Sequence, residues 1–442
     1  MKQFLTVGIW LTLAFKTALP AQVAVDSISI RLHQLIAEAQ KSESLEIIDL
    51  PLDTLPATIW QLTHLKSLKI ENVPIREIPD DISRLRNLER LTIRNTDITD
   101  LPNSIEQLGY LSVFEAGGTL NGPKLKQFPM SLTNLVGLKG IILVNTDIKA
   151  LPQELIRLKK LEFLEVQYSP LESFQRVIYQ LPLLKNLTLK AVQLKALPSG
   201  IGSLISLRTL ILDENHLTVL PPDLVRLSSL EVLHLKNNPL ERLPAGMSGL
   251  TRLNTLYLQG CHLEEMPGGW LRMPGLTSLG GSFSLVTQLS EMPKIRYLAL
   301  RDTLASALDI DFSRLTNLRH FELWAPHLDT FPHGLHHLSN LSVLVLNPGP
   351  AGAQLPDTLW SLSHLSQLVL SGNNIAELPV AVEGLKGLQA LLIEKTALTT
   401  LPLDVLSALP NLRYFYLIQN PDLVIDLQQL KSKLPRCTVR IQ

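Results

Sequence analysis

The chain has no surplus of charge. Forty lysines and arginines balance forty acidic residues in 442, and no run of like charge stands out. That balance removes the electrostatic footprint with which a protein attracts a phosphate backbone, so nucleic acid is not an expected partner. Cysteine is almost absent. Cys261 and Cys437 are separated by about seven units of the repeat described below, roughly 35 Å at the spacing of neighbouring strands. A disulfide needs Cα atoms within about 7 Å, so none is expected. After residue 25 no apolar stretch is long enough to cross a bilayer, and the mature chain is expected to carry no membrane span. The phosphate-binding G-x-x-x-x-G-K, the zinc-binding H-E-x-x-H and the nucleophile elbow G-x-S-x-G are missing as well, and Gly246-Met247-Ser248-Gly249 falls short of the last. Neither enzyme activity nor a cofactor is expected.

What the chain does have is one phrase repeated fifteen times within residues 65–411, best read in LRTLILDENHLTVLPPDLVRLSS, residues 207–229. Most units are 23 residues long, beginning at Leu65, Leu88, Leu111 and so on to Leu388. Apolar residues fall at positions 1, 4, 6, 11, 14, 18 and 21, and thirteen times an apolar residue at 14 is followed by proline, counting from Leu55-Pro56. Positions 4 and 6 alternate with polar neighbours, as in Leu233-His234-Leu235, so a short strand turns 4 and 6 inward and 3, 5 and 7 outward. The second half of each unit places apolar residues three and four apart after the proline, which suits a helical or 3₁₀ turn begun by Pro. One unit cannot bury both of its apolar edges, so neighbours must stack. Sixteen such strands would trace an arc of roughly 75 Å.

This pattern resembles the leucine-rich repeat family over residues 42–442. The resemblance implies an α/β solenoid, a curved horseshoe with a parallel sheet on its concave face and short helical or 3₁₀ turns on its convex face. It also implies a binding protein, since the 23-residue unit with Leu-Pro is similar both to intracellular Ras-group scaffolds and to bacterial effectors. Position 9, where strand meets convex turn, carries Asn215, Asn238, Asn373 and Asn420, whose amides can satisfy inward-turned backbone groups. Thr96, Thr119, Thr146, Ser169, Cys261, Ser284, Thr303 and Thr396 stand there in other units and still donate one hydrogen. Val73, Val192 and Pro326 cannot, and disturbed units are expected around them. The Leu111 unit is four residues long of the rule near Gly117 to Gly122, and the Leu276 unit has nineteen residues with Gly281 at core position 6, where the solenoid is expected to kink.

Residues 1–21 read as a secretory leader: Lys2, a mostly apolar run at 4–15, and small residues up to Ala21. Export to the periplasm or the exterior follows from that reading. Residues 22–44 are expected to form a capping helix, with Ile28, Leu32, Leu35, Ile36 and Ala39 at helical spacing. The repeats occupy 45–425, about sixteen units. Residues 426–442 form a terminal cap, with a helix through Leu427, Leu430 and Leu434 and a last strand that turns Cys437 inward. This end resembles the caps of bacterial leucine-rich repeat proteins.

The candidate partner-binding residues are Tyr257, Tyr297, Arg301, His320, Glu322 and Trp324 in the outward columns, with Arg296 and Arg319 beside them. Tyr, Trp and Arg carry most of the energy of protein interfaces, so a protein or peptide is the expected partner, bound on the concave sheet. Phe163, Glu165, Gln167 and Tyr168 form a second, lesser group. A third, Tyr414 with Tyr416, is expected to pack under the terminal cap. His320, His327, His333, His336 and His337 crowd one repeat, yet no carboxylate or cysteine completes a ligand set. A solvated convex face is the preferred reading there, with His320 apart on the concave side.

Overall fold

A computed structural model describes residues 21–119, 121–264, 270, 273–282, 292, 294–301, 312–329, 331, 334–347 and 355–441, with side chains from 28 onward. The proposed leader (apart from Ala21), Ser284, Thr303 and His333 lie outside the described residues. Helix α1 (Ala21–Ala39) precedes β1 (Ser44–Ile48), β2 (Ser67–Glu71), β3 (Arg90–Thr96), β4 (Val113–Gly118), β5 (Gly140–Val144) and β6 (Phe163–Gln167). Then come β7 (Asn186–Lys190), β8 (Thr209–Ile211), β9 (Val232–His234), β10 (Thr255–Tyr257), β11 (Ser278–Gly281) and β12 (Tyr297–Arg301). The series continues with β13 (His320–Trp324), β14 (Val343–Asn347), β15 (Gln367–Ser371) and β16 (Ala390–Glu394), then α2 (Leu403–Ser407), β17 (Tyr414–Ile418), α3 (Leu427–Lys433) and β18 (Thr438–Ile441). Each strand pairs in parallel with the next, so the sheet has eighteen described strands rather than the sixteen read from the repeats. One of the additional two is the last strand expected in the terminal cap, and the other is β1, whose segment lacks the full repeat pattern.

Register follows from the period. Leu68 faces Leu91 and Leu91 faces Phe114, so identical positions stack into columns and the core is a ladder of leucines. Leu233 and Leu235 are fully buried while His234 between them is not. Opposite the sheet the turns are mostly 3₁₀. In the clearest cases proline is their N-cap, as with Pro152 at φ −76° before Gln153–Arg157, and the turn closes through Leu158 N–H to Leu155 O. A proline there fixes φ and gives up an N–H that the first turn would leave unpaired anyway.

Two features hold each strand to its turn. The residue at position 8 is left-handed in most units, from Asp49 and Asn72 (φ 57°) to Gln419 (φ 50°). Asn and Gly adopt that conformation readily, whereas Tyr168 and Ala191 pay about 1–2 kcal/mol for it. The residue at position 9 then serves the unit before it. Asn215 Oδ1 accepts from Val192 N at 3.1 Å and Leu194 N at 3.0 Å, while its Nδ2 donates to Leu189 O and Leu212 O.

That arrangement corrects the expectation of disturbed units at the valines. Val192 needs no polar side chain because Asn215 of the next unit reaches back to it. Val73 is buried as well, and β2 pairs with β3 without interruption from Ser67 to Glu71. At Pro326 the inward place shifts by one residue: Ala325 is fully buried and Leu328 N–H bonds its carbonyl. The long Leu111 unit has a register shift opposite Arg94 and Thr96, and Thr119 is half-buried, its carbonyl taking the Asn145 amide at 2.7 Å rather than its hydroxyl turning inward. Strand pairing runs through the short unit, from Tyr257 to Gly280 to Ala299, in unbroken register.

At the ends, α1 packs Leu32, Ile36 and Ala39 on the first units. Asp426 caps α3 through Gln428 N–H at 2.8 Å, and Leu430 and Leu434 close the core. Cys437 stands one residue before β18, half-buried, with its Sγ on Leu412 O, and both cysteines are free. Tyr414 and Tyr416 do not pack under the cap: they are outward positions of β17, with Tyr414 48% exposed.

Candidate functional site

The concave face of β9 to β13 collects its large side chains because the strands are in register and the side chains alternate. His234, Tyr257, Tyr297 and His320 form a continuous line of rings across five strands, with centroids 4.5, 5.7 and 4.6 Å apart. These separations lie in the range of attractive aromatic pairs. Between the two tyrosines runs β11, with Ser278 opposite Tyr297 and no large side chain at the next outward position. It carries Gly280 there, opposite Tyr257, and the side chain of Gln259 folds over the space.

Polar groups fix the far end of the line. Tyr297 Oη donates to Glu322 Oε1 at 3.0 Å, and His320 Nε2 lies 2.7 Å from the same oxygen. Burial would raise the Glu322 carboxyl, but the His320 contact and charge, then the Tyr297 hydroxyl, hold it below the usual glutamate value. Burial, reinforced by the Glu322 charge, pushes the Tyr297 phenol well above its ordinary range, and the same causes raise Tyr257. At the near end His234 is pushed down to about 4 by burial and by the Lys236 charge. It is therefore neutral at pH 7, and its 3.8 Å approach to Asp213 is not an ion pair there. Asp213 instead accepts the Lys236 backbone N–H at 2.7 Å.

Two cations lie over the rings. Lys236 Nζ is 4.3 Å from the centre of Tyr257, and the Arg301 guanidinium carbon is 3.3 Å from the centre of Trp324. Trp324 is consequently half-buried under Arg301 rather than open to solvent. The structure thus brings Tyr257, Tyr297, His320 and Glu322 into one network and sets Arg301 with Trp324 beside it. Arg296 and Arg319 are exposed at position 2, at the start of the strands, where the Arg296 carbonyl takes the His320 N–H at 3.0 Å, but their guanidinium groups form no ion pair with that network among the described residues. Sequence reading overlooked Asp213 and Gly280. The signal for both was available as position 7 of one unit and position 5 of another, but neither residue type is conspicuous by itself.

The second group is looser. Phe163 lies over Gly140 of the neighbouring strand, and Lys190 Nζ is 5.3 Å from Tyr168. On the convex side His336 and His337 stack at 4.1 Å, and no metal-binding group of His, Cys, Asp or Glu occurs among the described residues. No described helix is long and apolar enough to cross a membrane.

Two family models match the chain, a leucine-rich repeat region over residues 53–125 and a leucine rich repeat over 205–263. With the parallel open sheet, its 23-residue register and its 3₁₀ turns, these matches decide the family. The chain is a leucine-rich repeat protein. Its solenoid is similar to a leucine-rich repeat protein of Leptospira interrogans, at 23% identity over 92% of this chain and 98% of that one, with a TM-score of 0.52. It is also similar to the functional domain of InlJ from Listeria monocytogenes, at 17% identity, 87% and 74% coverage, and a TM-score of 0.51. TLR13, solved in complex with ssRNA13, shares 21% identity over 93% of this chain and 63% of that one, with a TM-score of 0.53. At these identities the likeness is one of fold. A search of curated proteins returns no match.

Proposed function

We propose that this leucine-rich repeat protein is a non-enzymatic recognition module that binds a protein or peptide segment on its concave sheet, across β9 to β13. The observation that carries this reading is the ring line His234, Tyr257, Tyr297 and His320, held in place by Glu322. Rigid aromatic groups lose little conformational entropy when a partner covers them, and such residues dominate interface energies. The even balance of charge favours a protein partner over nucleic acid. The leader-like residues 1–21 support action after export, in the periplasm or outside the cell.

The test begins with a partner captured from the native source and purified. Tyr297→Ala or Trp324→Ala should weaken its binding by at least about 2 kcal/mol in calorimetry, whereas the convex change His336→Ala should not. Wild-type affinity in both concave variants, with loss in the convex one, would move the site to the other face. For export, the intact mass of protein from the native source should begin at or near Gln22. A mature species retaining Met1 would refute that part.

A further inference from the structure

Position 2 of each unit, just before the strand, forms a column along one rim of the sheet. In the first half of the solenoid that column neutralises itself: Lys66 pairs with Glu43 at 2.8 Å, Lys185 with Glu162 at 2.6 Å and Arg208 with Glu231 at 3.6 Å. After Glu231 the column holds no acid. It reads Asn254, Thr277, Arg296, Arg319, Ser342, Ser366. Arg296 and Arg319 therefore stand on adjacent strands, roughly 5 Å apart at the backbone, as neighbouring like charges. Neighbouring like charges are unfavourable unless an anion joins them. Both are exposed, and no carboxylate pairs with either among the described residues.

The opposite end of the same two strands repeats the situation. Arg301 lies over Trp324, which fixes the side chain while leaving guanidinium N–H groups for a planar acceptor. No described carboxylate takes them. Glu322, between the two ends, is already engaged by Tyr297 and His320. The strip over β12 and β13 thus has arginine at both ends and an aromatic, internally satisfied middle.

We infer that this strip takes an extended acidic peptide segment, with one carboxylate between Arg296 and Arg319 and a second against Arg301. This inference rests on the concave-face reading above and adds the chemistry of the partner. Arg296 and Arg301 are five residues apart on one strand, about 17 Å. An extended peptide spans that distance between acidic residues about five positions apart, with uncharged residues between them over Tyr297 and His320.

The experiment is a selection of random displayed peptides, with both termini blocked, on the full-length protein, run beside a pool of random single-stranded RNA. Asp or Glu should be enriched at positions about five apart. Glu→Gln at either position in a selected peptide should weaken binding at least tenfold, as should Arg301→Gln or the double change Arg296→Gln with Arg319→Gln. Affinity should also fall as salt rises from 50 to 300 mM. Thermal melts of these surface variants should match wild type. Selected peptides without acids, yet sensitive to Tyr297→Ala, would overturn the acidic assignment and leave the concave reading standing. Peptides indifferent to every concave change would overturn both. An empty selection, or an RNA pool that binds more tightly through the same arginines, would overturn the acidic peptide.

Discussion

Around β6 to β8 charged side chains satisfy one another, as when Glu162 just before β6 meets Lys185 just before β7, and Lys190 at the end of β7 meets Glu214 beyond β8. On β10 to β13 rings take the place of most ion pairs, Glu322 is engaged by Tyr297 and His320, and the arginines at both ends pair with no acid among the described residues. Beneath both surfaces runs the same ladder of leucines in the same register. The difference shows that the repeat dictates only the inward positions. Outward positions are free to vary, and the stretch where rings replace ion pairs is where the proposed site lies. The irregular 19-residue unit with Gly280 and Gly281 falls within that stretch.

If the two regions share one scaffold, deletions of core atoms in each must cost alike. Leu164→Ala on β6 and Leu298→Ala on β12, both fully buried, should each lower stability by about 2–5 kcal/mol in denaturant titrations. A cost near zero on β12 alone would mean that the ring-lined region is a separate, loosely packed body.

The next largest effect contrasts the position-9 column of the two regions. Asn215→Ala removes acceptors from Val192 and Leu194 N–H groups that are buried, so a loss of at least about 2 kcal/mol is expected. Cys261→Ala removes weaker sulfur bonds, from Sγ to Leu235 O and with the Asn238 backbone, and should cost about 1 kcal/mol. Equal costs would show that the Asn column adds nothing beyond filling space.

Much of this architecture was legible from spacing. A period of 23 fixes which leucines face inward, and proline after position 14 marks the convex turn, because both depend on short-range geometry repeated many times. The left-handed position 8 was not legible, since Asn and Gly occupy it in some units but Tyr168, Glu214 and Lys395 occupy it in others. In those units stacking of neighbours overrides the local preference. The ring line was half legible. Each member sits in an outward column, but Tyr257 at position 5 and Tyr297 at position 3 lie two strands apart, and spacing alone does not show that their rings meet across β11. The half-burial of Trp324 was not legible, because the reach of Arg301 across to the next strand has no signature in spacing.

On binding, the comparison sharpens further. Tyr297→Ala should cost about 2 kcal/mol of partner affinity, while Phe163→Ala on the regular stretch should leave affinity unchanged. The reverse result would transfer the site to β6 and the group around Tyr168.

The smallest effect separates the two regions by pH. His234 is held down to about 4 by burial and by Lys236, from an ordinary value of 6.5. Between these values the unfolded chain binds a proton that the native imidazole refuses, so the unfolded state gains as pH falls. The stability tied to neutral His234 is therefore complete above pH 6.5, is lost progressively down to about 4, and changes no further below. Most of that window lies above the range in which Glu322, whose carboxyl is lowered, begins to contribute its own loss below the ordinary glutamate value of 4.5. Partial access of water to the ring reduces the size of the effect, and about 1 kcal/mol is expected between pH 6.5 and 4.5. His234→Gln should flatten the stability profile in that interval, and the imidazole should titrate near pH 4 by NMR. A midpoint near 6.5 would mean that the ring is solvated, and the line from His234 to His320 would then begin at Tyr257.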